Sequence, residues 1–141
     1  MGKRQARHEV IRDLIRENPV RTQKDLAKLL RDAGHACTQA TVSRDVVDLG
    51  LVKTEEGFYV LPEEQRLARL VKQLVINVQA ACNLVVVKTT PGAAQGVSAA
   101  LDGAALKGAL GTVAGDDTIM IAAESEKAAS RLEDQIKQYQ I

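Results

Sequence analysis

The amino-acid sequence predicts an α+β protein of two small domains, the first mainly helical and the second built on an antiparallel sheet. Three observations carry this prediction. Apolar residues recur at helical spacing up to about residue 50, and short β-rich runs bounded by glycine dominate the rest. Residues 1–54 hold 11 Lys and Arg against 7 Asp and Glu, whereas residues 55–141 hold 8 against 11. A basic half joined to an acidic half indicates a polyanionic partner for the first half alone.

Residues 1–50 are predicted to form three helices. The first has an apolar stripe made by Val10, Ile11, Leu14 and Ile15. It is predicted to end at Asn18, because a residue before proline disfavours the helical conformation. Thr22 and Thr38 are suitable N-caps for a second helix and for a third helix from about Gln39 to Leu49.

A hairpin is predicted next, from the short β-rich runs 51–54 and 58–61 on either side of a turn that contains Gly57. Three helices followed by a hairpin make a winged helix-turn-helix. The polar stretch 62–66 is predicted to begin a linker, which sets the domains at residues 1–66 and 67–141.

The second domain is predicted to have the order ββαββα, with helices on one face of a mainly antiparallel sheet. Its predicted strands are 75–78, 84–88, 110–114 and 118–122. A helix of small residues opens at Pro91-Gly92 and runs to about Leu101, and a closing helix covers 125–138. Aromatic residues make up 2% of the chain. Because small domains with such cores are marginal alone, we expect a homo-oligomer.

Several classes of protein are not expected. Cys37 and Cys82 form no CxxC pair and no cluster with histidine, so they predict reduced thiols in a cytoplasmic protein and no metal site. The charged N-terminus and the short apolar runs predict neither a signal peptide nor a membrane span. His8 and His35 are expected at the surface of the first domain. With no catalytic residue in view, we do not expect an enzyme.

The third helix carries side chains suited to reading DNA. With Val42 and Val46 facing inward, Gln39, Ser43 and Arg44 point outward near its start, where helix-turn-helix proteins meet base edges. Arg44 can donate two hydrogen bonds to guanine, and Gln39 can pair in the same way with adenine.

Other side chains of this domain suit the phosphate backbone or further base contacts. They are the hydroxyls of Thr38, Thr41 and Ser43 and the cations Lys3, Arg4, Arg7, Arg21 and Lys24. One alternative stays open. The helix-turn-helix can serve only as a protein-interaction module. Arg44 can also pair with Asp48 on a solvated helix of the free protein, a contact worth about 0.3–0.5 kcal/mol that can open on DNA.

Asp116 and Asp117 lie side by side in a predicted turn led by Gly115. Adjacent carboxylates gain from a cation, and a guanidinium offers them a planar fork of donors. Four further groups are expected nearby: the side chains of Gln95, Asp102 and Thr112, and the carbonyl of Ala114. These groups predict a cationic amino acid as ligand. Two alternatives stay open, since Gly-Asp-Asp is ordinary turn chemistry and carboxylates can bind magnesium.

The residues singled out resemble the bacterial arginine repressor family over almost the whole chain. The run TQATVSRD at 38–45 is similar to its recognition-helix signature, and GTVAGDDTI at 111–119 is similar to a C-terminal one. Further similar segments are 22–26, 58–62 and 88–94. The resemblance implies that Ser43 and Arg44 contact bases.

The same resemblance implies a hexamer of two stacked trimers that binds L-arginine in its C-terminal domains. Asp116, Asp117, Gln95 and Asp102 match the family's ligand contacts. We therefore expect an arginine-dependent regulator that binds double-stranded operator DNA and represses arginine biosynthesis genes, with L-arginine as co-repressor and no other cofactor. Activation of arginine catabolism is left open. The alternatives are a regulator of another amino acid, such as lysine or ornithine, and an accessory protein of site-specific recombination.

Overall fold

The structure is a computed structural model that describes residues 2–141, and the chain divides into two compact units, one ending at Gln65 and the other covering Arg66–Ile141. The first unit contains helices α1 (Lys3–Glu17), α2 (Gln23–Asp32) and α3 (Gln39–Asp48) and the strands β1 (Val52–Lys53) and β2 (Tyr59–Val60). β1 and β2 pair antiparallel. This unit has the element order predicted for a winged helix-turn-helix.

The ends of the first three helices follow local sequence signals. The backbone N–H of Asn18 donates to Leu14 O at 2.9 Å and closes α1. Thr22 Oγ1 accepts from the N–H of Asp25 at 3.0 Å, and Thr38 Oγ1 accepts from the N–H of Thr41 at 3.2 Å. Both predicted N-caps are confirmed, because each threonine satisfies a backbone donor that the helix itself cannot.

The first unit has one apolar core to which each of its three helices contributes. Its buried members are Ile11, Ile15, Val20, Leu26, Leu30, Val42, Val46, Leu51 and Leu61. Because α3 buries Val42 and Val46, the opposite side of this helix faces solvent.

Helix α4 (Pro62–Leu74) begins where the sequence predicts a polar linker. Pro62 is its first residue, a position at which the missing N–H of proline is harmless. Glu63 and Glu64 lie in the first turn, where negative charge stabilises the helix dipole. Residues 62–66 are therefore helical, and the boundary between the two units falls within α4.

The second unit is a four-stranded antiparallel sheet with helices, as predicted. After α4 the elements are β3 (Val75–Ala81), β4 (Leu84–Thr89), α5 (Ala94–Ala104), β5 (Ala109–Ala114), β6 (Thr118–Ala123) and α6 (Glu126–Tyr139). The strand order β3-β4-β6-β5 makes β5 an edge strand. Helix α5 starts later than predicted, because Gly92 adopts a left-handed backbone (φ +78°) before it.

The two faces of this sheet differ. One face joins α5 and α6 in a single core that includes Val85, Ile119 and Leu132. On the other face Met120 pairs across the strands with Val86 and Val113, and we call these three residues the open sheet face. Val113 is 73% exposed and Met120 46% exposed, so a single copy leaves apolar side chains uncovered there. In the described part of the chain, no helix has the length and apolar character needed to cross a membrane.

Candidate nucleic-acid interface and ligand site

Arg44 lies on the solvent side of α3 and is exposed. Among residues 2–141 it has no hydrogen bond or ion pair. Asp48, its alternative partner, instead accepts a hydrogen bond from Arg4 of α1. The Arg44 guanidinium is therefore available to an incoming acceptor, and the pairing with Asp48 is not found.

Gln39 is held at the start of α3 by a residue that sequence reasoning missed. Its Nε2 donates to Gln23 Oε1 at 3.0 Å. Gln23 is the first residue of α2, so both helices open with the same Thr-Gln pair, Thr22-Gln23 and Thr38-Gln39. Only this repeated pair could have signalled the contact. The second amide hydrogen and the Oε1 of Gln39 have no partner in the described part of the chain, and these are the atoms that would pair with adenine.

The three hydroxyls predicted for DNA contacts have different surroundings. Thr38 Oγ1 caps α3 and lies 3.0 Å from Thr41 Oγ1, so these two threonines bond each other. Ser43 is half-buried, and its hydroxyl has no partner within the described residues. Of the three, Ser43 alone offers a fully free hydroxyl on the outer side of α3.

Arg21 has structural partners in the hairpin. Its guanidinium lies 4.1 Å from the centroid of the Phe58 ring, and its Nη1 donates to Glu56 O at 2.9 Å. A cation over an aromatic face adds roughly 0.5–1 kcal/mol at exposed sites. Arg21 therefore fastens the tip of the wing, whereas Lys24 is exposed and forms no ion pair with any residue of the range 2–141.

A buried carboxylate joins α1 to α3. Asp45 is 1% exposed, and its Oδ1 accepts from Arg7 Nη2 at 2.9 Å and lies 2.8 Å from His8 Nε2. Arg7 Nε donates to the other oxygen. His8 is therefore largely buried in the first unit, and its predicted surface position is wrong. Arg7, predicted to reach phosphate, already neutralises Asp45.

The charges around Asp45 set its titration. Burial alone would raise the pKa of this carboxyl, but the hydrogen bonds and positive charges of Arg7 and His8 outweigh burial and lower the pKa. The hydrogen bond to Asp45 raises the pKa of Arg7. Ligand atoms of His8, Asp45 and Asp48 lie within 4.8 Å of one another. That spacing would suit a metal ion, yet Arg4 and Arg7 already compensate both carboxylates.

In the second unit, polar side chains of α5 meet the edge strand β5. Gln95 Nε2 donates to Ala114 O at 2.8 Å. One turn on, Ser98 Oγ lies 2.7 Å from Thr112 Oγ1, and Thr112 Oγ1 donates to Asp102 Oδ1 at 2.9 Å. The four groups predicted beside the aspartate pair thus form two contacts along one side of α5, Gln95 with Ala114 and, about two turns further on, Asp102 with Thr112.

The aspartate pair forms the turn between β5 and β6, next to the start of α5. The N–H of Ala94 donates to Asp116 O at 3.1 Å, and the N–H of Thr89 donates to Asp117 O at 2.8 Å. The Asp117 carboxylate accepts from Thr118 Oγ1 at 2.9 Å. The Asp116 carboxylate is exposed, and no described residue bonds it. The backbone of the turn is therefore fixed while Asp116 stays free to receive a cation.

A cavity of about 220 Å³ lies between the end of α5 and β5. It is lined by Leu101, Asp102, Ala105, Leu106, Ala109, Leu110, Gly111, Thr112 and Ile121. Small-molecule sites usually measure about 300–1,000 Å³ and bury most of their ligand. One copy of the chain therefore offers polar groups for a ligand but no enclosure around it.

Two family models match the chain: "Arginine repressor, DNA binding domain" over residues 2–67 and "Arginine repressor, C-terminal domain" over residues 71–138. Several curated proteins called arginine repressor are similar to it. That of Koribacter versatilis is 45% identical over 141 residues, covering 94% of this chain and 95% of the relative. Those of Desulforudis audaxviator (49% over 131 residues, 86% and 87%) and Thermus thermophilus (40% over 146 residues, 96% and 89%) are also similar.

Proposed function

The chain belongs to the arginine repressor family, and from that premise we propose that it is a cytoplasmic, arginine-dependent transcriptional repressor of arginine biosynthesis genes. Residues 1–66 would form the domain that binds double-stranded operator DNA. Residues 67–141 would form the domain that assembles the homo-oligomer and binds L-arginine as co-repressor. The relatives carry the name of a regulator, which also favours a protein without catalytic activity.

The proposed DNA binding rests on the Arg44 guanidinium, which has no partner among residues 2–141. It stands on the solvent side of α3 beside Ser43, and Gln39 keeps its adenine-pairing atoms unoccupied. Lys24 supplies an unpaired cation for phosphate, whereas Arg4, Arg7 and Arg21 support α3 and the wing from within the protein. We therefore expect Arg44→Ala to weaken operator binding, with about 1–3 kcal/mol of base discrimination lost at one position, and to leave assembly intact.

The proposal that this protein binds arginine rests on the exposed carboxylate of Asp116, which no residue of the range 2–141 bonds. Asp102 lies about two turns further along α5, but Asp117 and the carbonyl of Ala114 lie beside Asp116 and provide further acceptors. A guanidinium brings five donors in a rigid plane and matches such a set of acceptors, whereas the ammonium of lysine is a point charge with three donors. This chemistry favours L-arginine over lysine or ornithine.

We place the bound arginine between subunits because one copy does not enclose it. The cavity beside Asp102 is small and open, and the adjoining strand β5 is an unpaired edge with Leu110 68% exposed. Further copies of the chain would cover the ligand and, on the opposite side of the sheet, the apolar side chains of the open sheet face. In the proposed trimer and hexamer, arginine would stabilise assembly by mass action.

The test is sedimentation velocity and operator binding of the full chain at one salt concentration, without ligand and with L-arginine or L-lysine. We expect arginine alone to shift trimers toward hexamers and to tighten DNA binding. Coupling between two sites is reciprocal and typically about 1–3 kcal/mol, so operator DNA should raise the arginine affinity equally. If arginine does not change the operator affinity, the protein is not an arginine sensor and only the proposed DNA binding remains.

A further inference from the structure

Val47 is an exposed apolar residue one turn beyond the positions of α3 that are proposed to read DNA. Its side chain is 76% exposed, and no other large hydrophobic residue in the range 2–65 is exposed to a comparable degree. The valines before and after the reading positions, Val42 and Val46, are buried in the core. Val47 is therefore an apolar side chain that the fold itself does not use.

Its position continues the proposed base-reading surface. Val47 follows Ser43 by four residues and Arg44 by three, the two spacings that place side chains on one face of a helix. It lies about 6 Å further along the helix axis than Ser43, which is close to two base-pair steps of about 3.4 Å. The adjacent Asp48 is bound to Arg4, so Val47 is left as the contacting group at this level of α3.

The chemistry of the major groove supplies a matching partner. Base edges there present hydrogen-bond donors and acceptors, and the C5-methyl group of thymine is the apolar group among them. Resting on the proposed operator binding, we propose that Val47 contacts the C5-methyl group of a thymine and specifies a T·A pair beyond those read by Ser43 and Arg44.

This assignment explains why valine stands at a solvent-facing helical position. A β-branched residue has a lower helix propensity than alanine or a charged residue, so Val47 does not favour the helix. Single exposed apolar residues are common on protein surfaces. If Val47 were only such a residue, removing the thymine methyl group would not change the DNA affinity through this side chain. The two cases differ in one measurable property, the response of binding to removal of that methyl group from DNA.

The experiment uses the full chain with L-arginine at fixed salt. Duplexes are selected from a randomised pool with the wild-type protein, and each thymine of a selected duplex is then replaced singly by deoxyuridine, which lacks only the methyl group. Burying one methyl-sized group stabilises by about 0.8 kcal/mol, or roughly fourfold in affinity. We expect about this loss at one thymine in each half-site and none at thymines outside the groove contact.

Two variants assign the loss to this side chain. Val47→Ala removes both γ-methyl groups and should bind the thymine and deoxyuridine duplexes equally at that position. Val47→Thr keeps one γ-methyl group and should retain part of the difference. Because the side chain is exposed, both variants should fold, which far-UV circular dichroism checks.

A second arm tests the methyl group in another base. At the same position, the wild-type protein should bind 5-methylcytosine·G more tightly than C·G, and Val47→Ala should not. The inference is overturned if no thymine responds to deoxyuridine, or if Val47→Ala keeps the full response. If the wild-type protein selects no duplex at all, operator binding itself fails and the assignment of Val47 falls with it.

Discussion

Single residues of the first unit divide into those that face outward and those that hold others in place. Arg44 and Val47 have no use within the described fold, whereas Arg21 and Gln23 act through neighbours. The sequence predicted that Gln39 and Arg44 lie on a helix and face solvent, because helical spacing and caps are local signals. It could not predict Gln23 as the partner of Gln39, since that contact depends on how α2 and α3 pack.

The Gln23–Gln39 contact makes a prediction about base discrimination. In Gln23→Ala, Gln39 loses the acceptor that orients its amide, so preference for one base pair of the operator should weaken. A neutral hydrogen bond contributes about 0.5–1.5 kcal/mol, and the loss should vanish in a Gln39→Ala background. Binding of single-substituted duplexes to the four proteins of this cycle measures the coupling.

Lys24→Ala is the matched control for that cycle, because Lys24 neighbours Gln23 but does not bond α3. It should weaken binding to all duplexes alike and lower the salt slope by about 0.9. Equal effects of Gln23→Ala with and without Gln39 would show that the two residues act independently.

A second residue-level prediction concerns the ligand. Asp116→Asn keeps the shape of the side chain but removes its charge, so L-arginine should bind about 10–150-fold more weakly, as expected when a charge-assisted hydrogen bond of about 1.5–3 kcal/mol is lost. Titration calorimetry checks this. Asp134→Asn, an exposed change in α6, should leave the affinity unaltered. Undiminished binding by Asp116→Asn would place the guanidinium elsewhere.

At the scale of elements, local signals predicted the helix ends but missed one helix. Thr22, Thr38 and the proline after Asn18 act on their own neighbours, so their effects could be read directly. The polar character of its first residues predicts a linker at the start of α4, although proline and two glutamates also favour a helix N-terminus. The hydrogen bond between Arg7 of α1 and Asp45 of α3 joins residues 38 positions apart, so no local sequence pattern predicts it.

That link predicts how the first unit responds to acid. The pKa of Asp45 is lowered in the folded state, so its contribution is full above the ordinary carboxyl pKa of about 3.9 and is lost as the pH falls through the folded value. Asp45→Asn should destabilise the unit by about 2 kcal/mol at neutral pH, because charged hydrogen bonds are lost. It should also flatten the decline in stability below about pH 4.

Hydrogen exchange of the α3 amides over a pH series measures both effects. Asp32→Asn, at the exposed end of α2, serves as the control and should follow the wild-type curve. A decline below pH 4 that persists unchanged in Asp45→Asn would assign the acid sensitivity to other carboxylates.

The end of α5 offers a test of backbone conformation. Ala105 has φ +49°, and a left-handed backbone costs an L-residue roughly 1–2 kcal/mol that glycine avoids. Ala105→Gly should therefore stabilise the protein by about 1 kcal/mol, glycine being the usual residue after a helix. Ala99→Gly, the same change at an exposed position inside α5, should destabilise it by about 1 kcal/mol.

Urea unfolding at matched protein concentration compares these two variants, because assembly adds to apparent stability. Opposite signs are expected for the same chemical change. Destabilisation by both would mean that Ala105 gains more from its methyl contacts than it loses in backbone strain.

For the whole molecule, the sequence predicted the α+β class and the order of elements, because strand and helix periodicities differ clearly between the two parts. Composition also separated a basic first half from an acidic second half. The positions of Gln95, Asp102 and Thr112 along one side of α5 needed the folded chain, since Thr112 lies 17 positions after Gln95. Only the structure showed that the Asp116 carboxylate has no partner among residues 2–141 of one copy.

The unpaired edge of β5 has a consequence for how the protein is made in a cell. This edge exposes backbone hydrogen-bond donors and acceptors next to the apolar side chains of Leu110 and Val113. It can therefore pair with a strand of any unfolded chain nearby. For a newly synthesised subunit, assembly with other folded subunits therefore competes with aggregation. A low concentration of subunits or of arginine would slow assembly of the oligomer. The soluble yield of recombinant protein should therefore rise when arginine is supplied during expression.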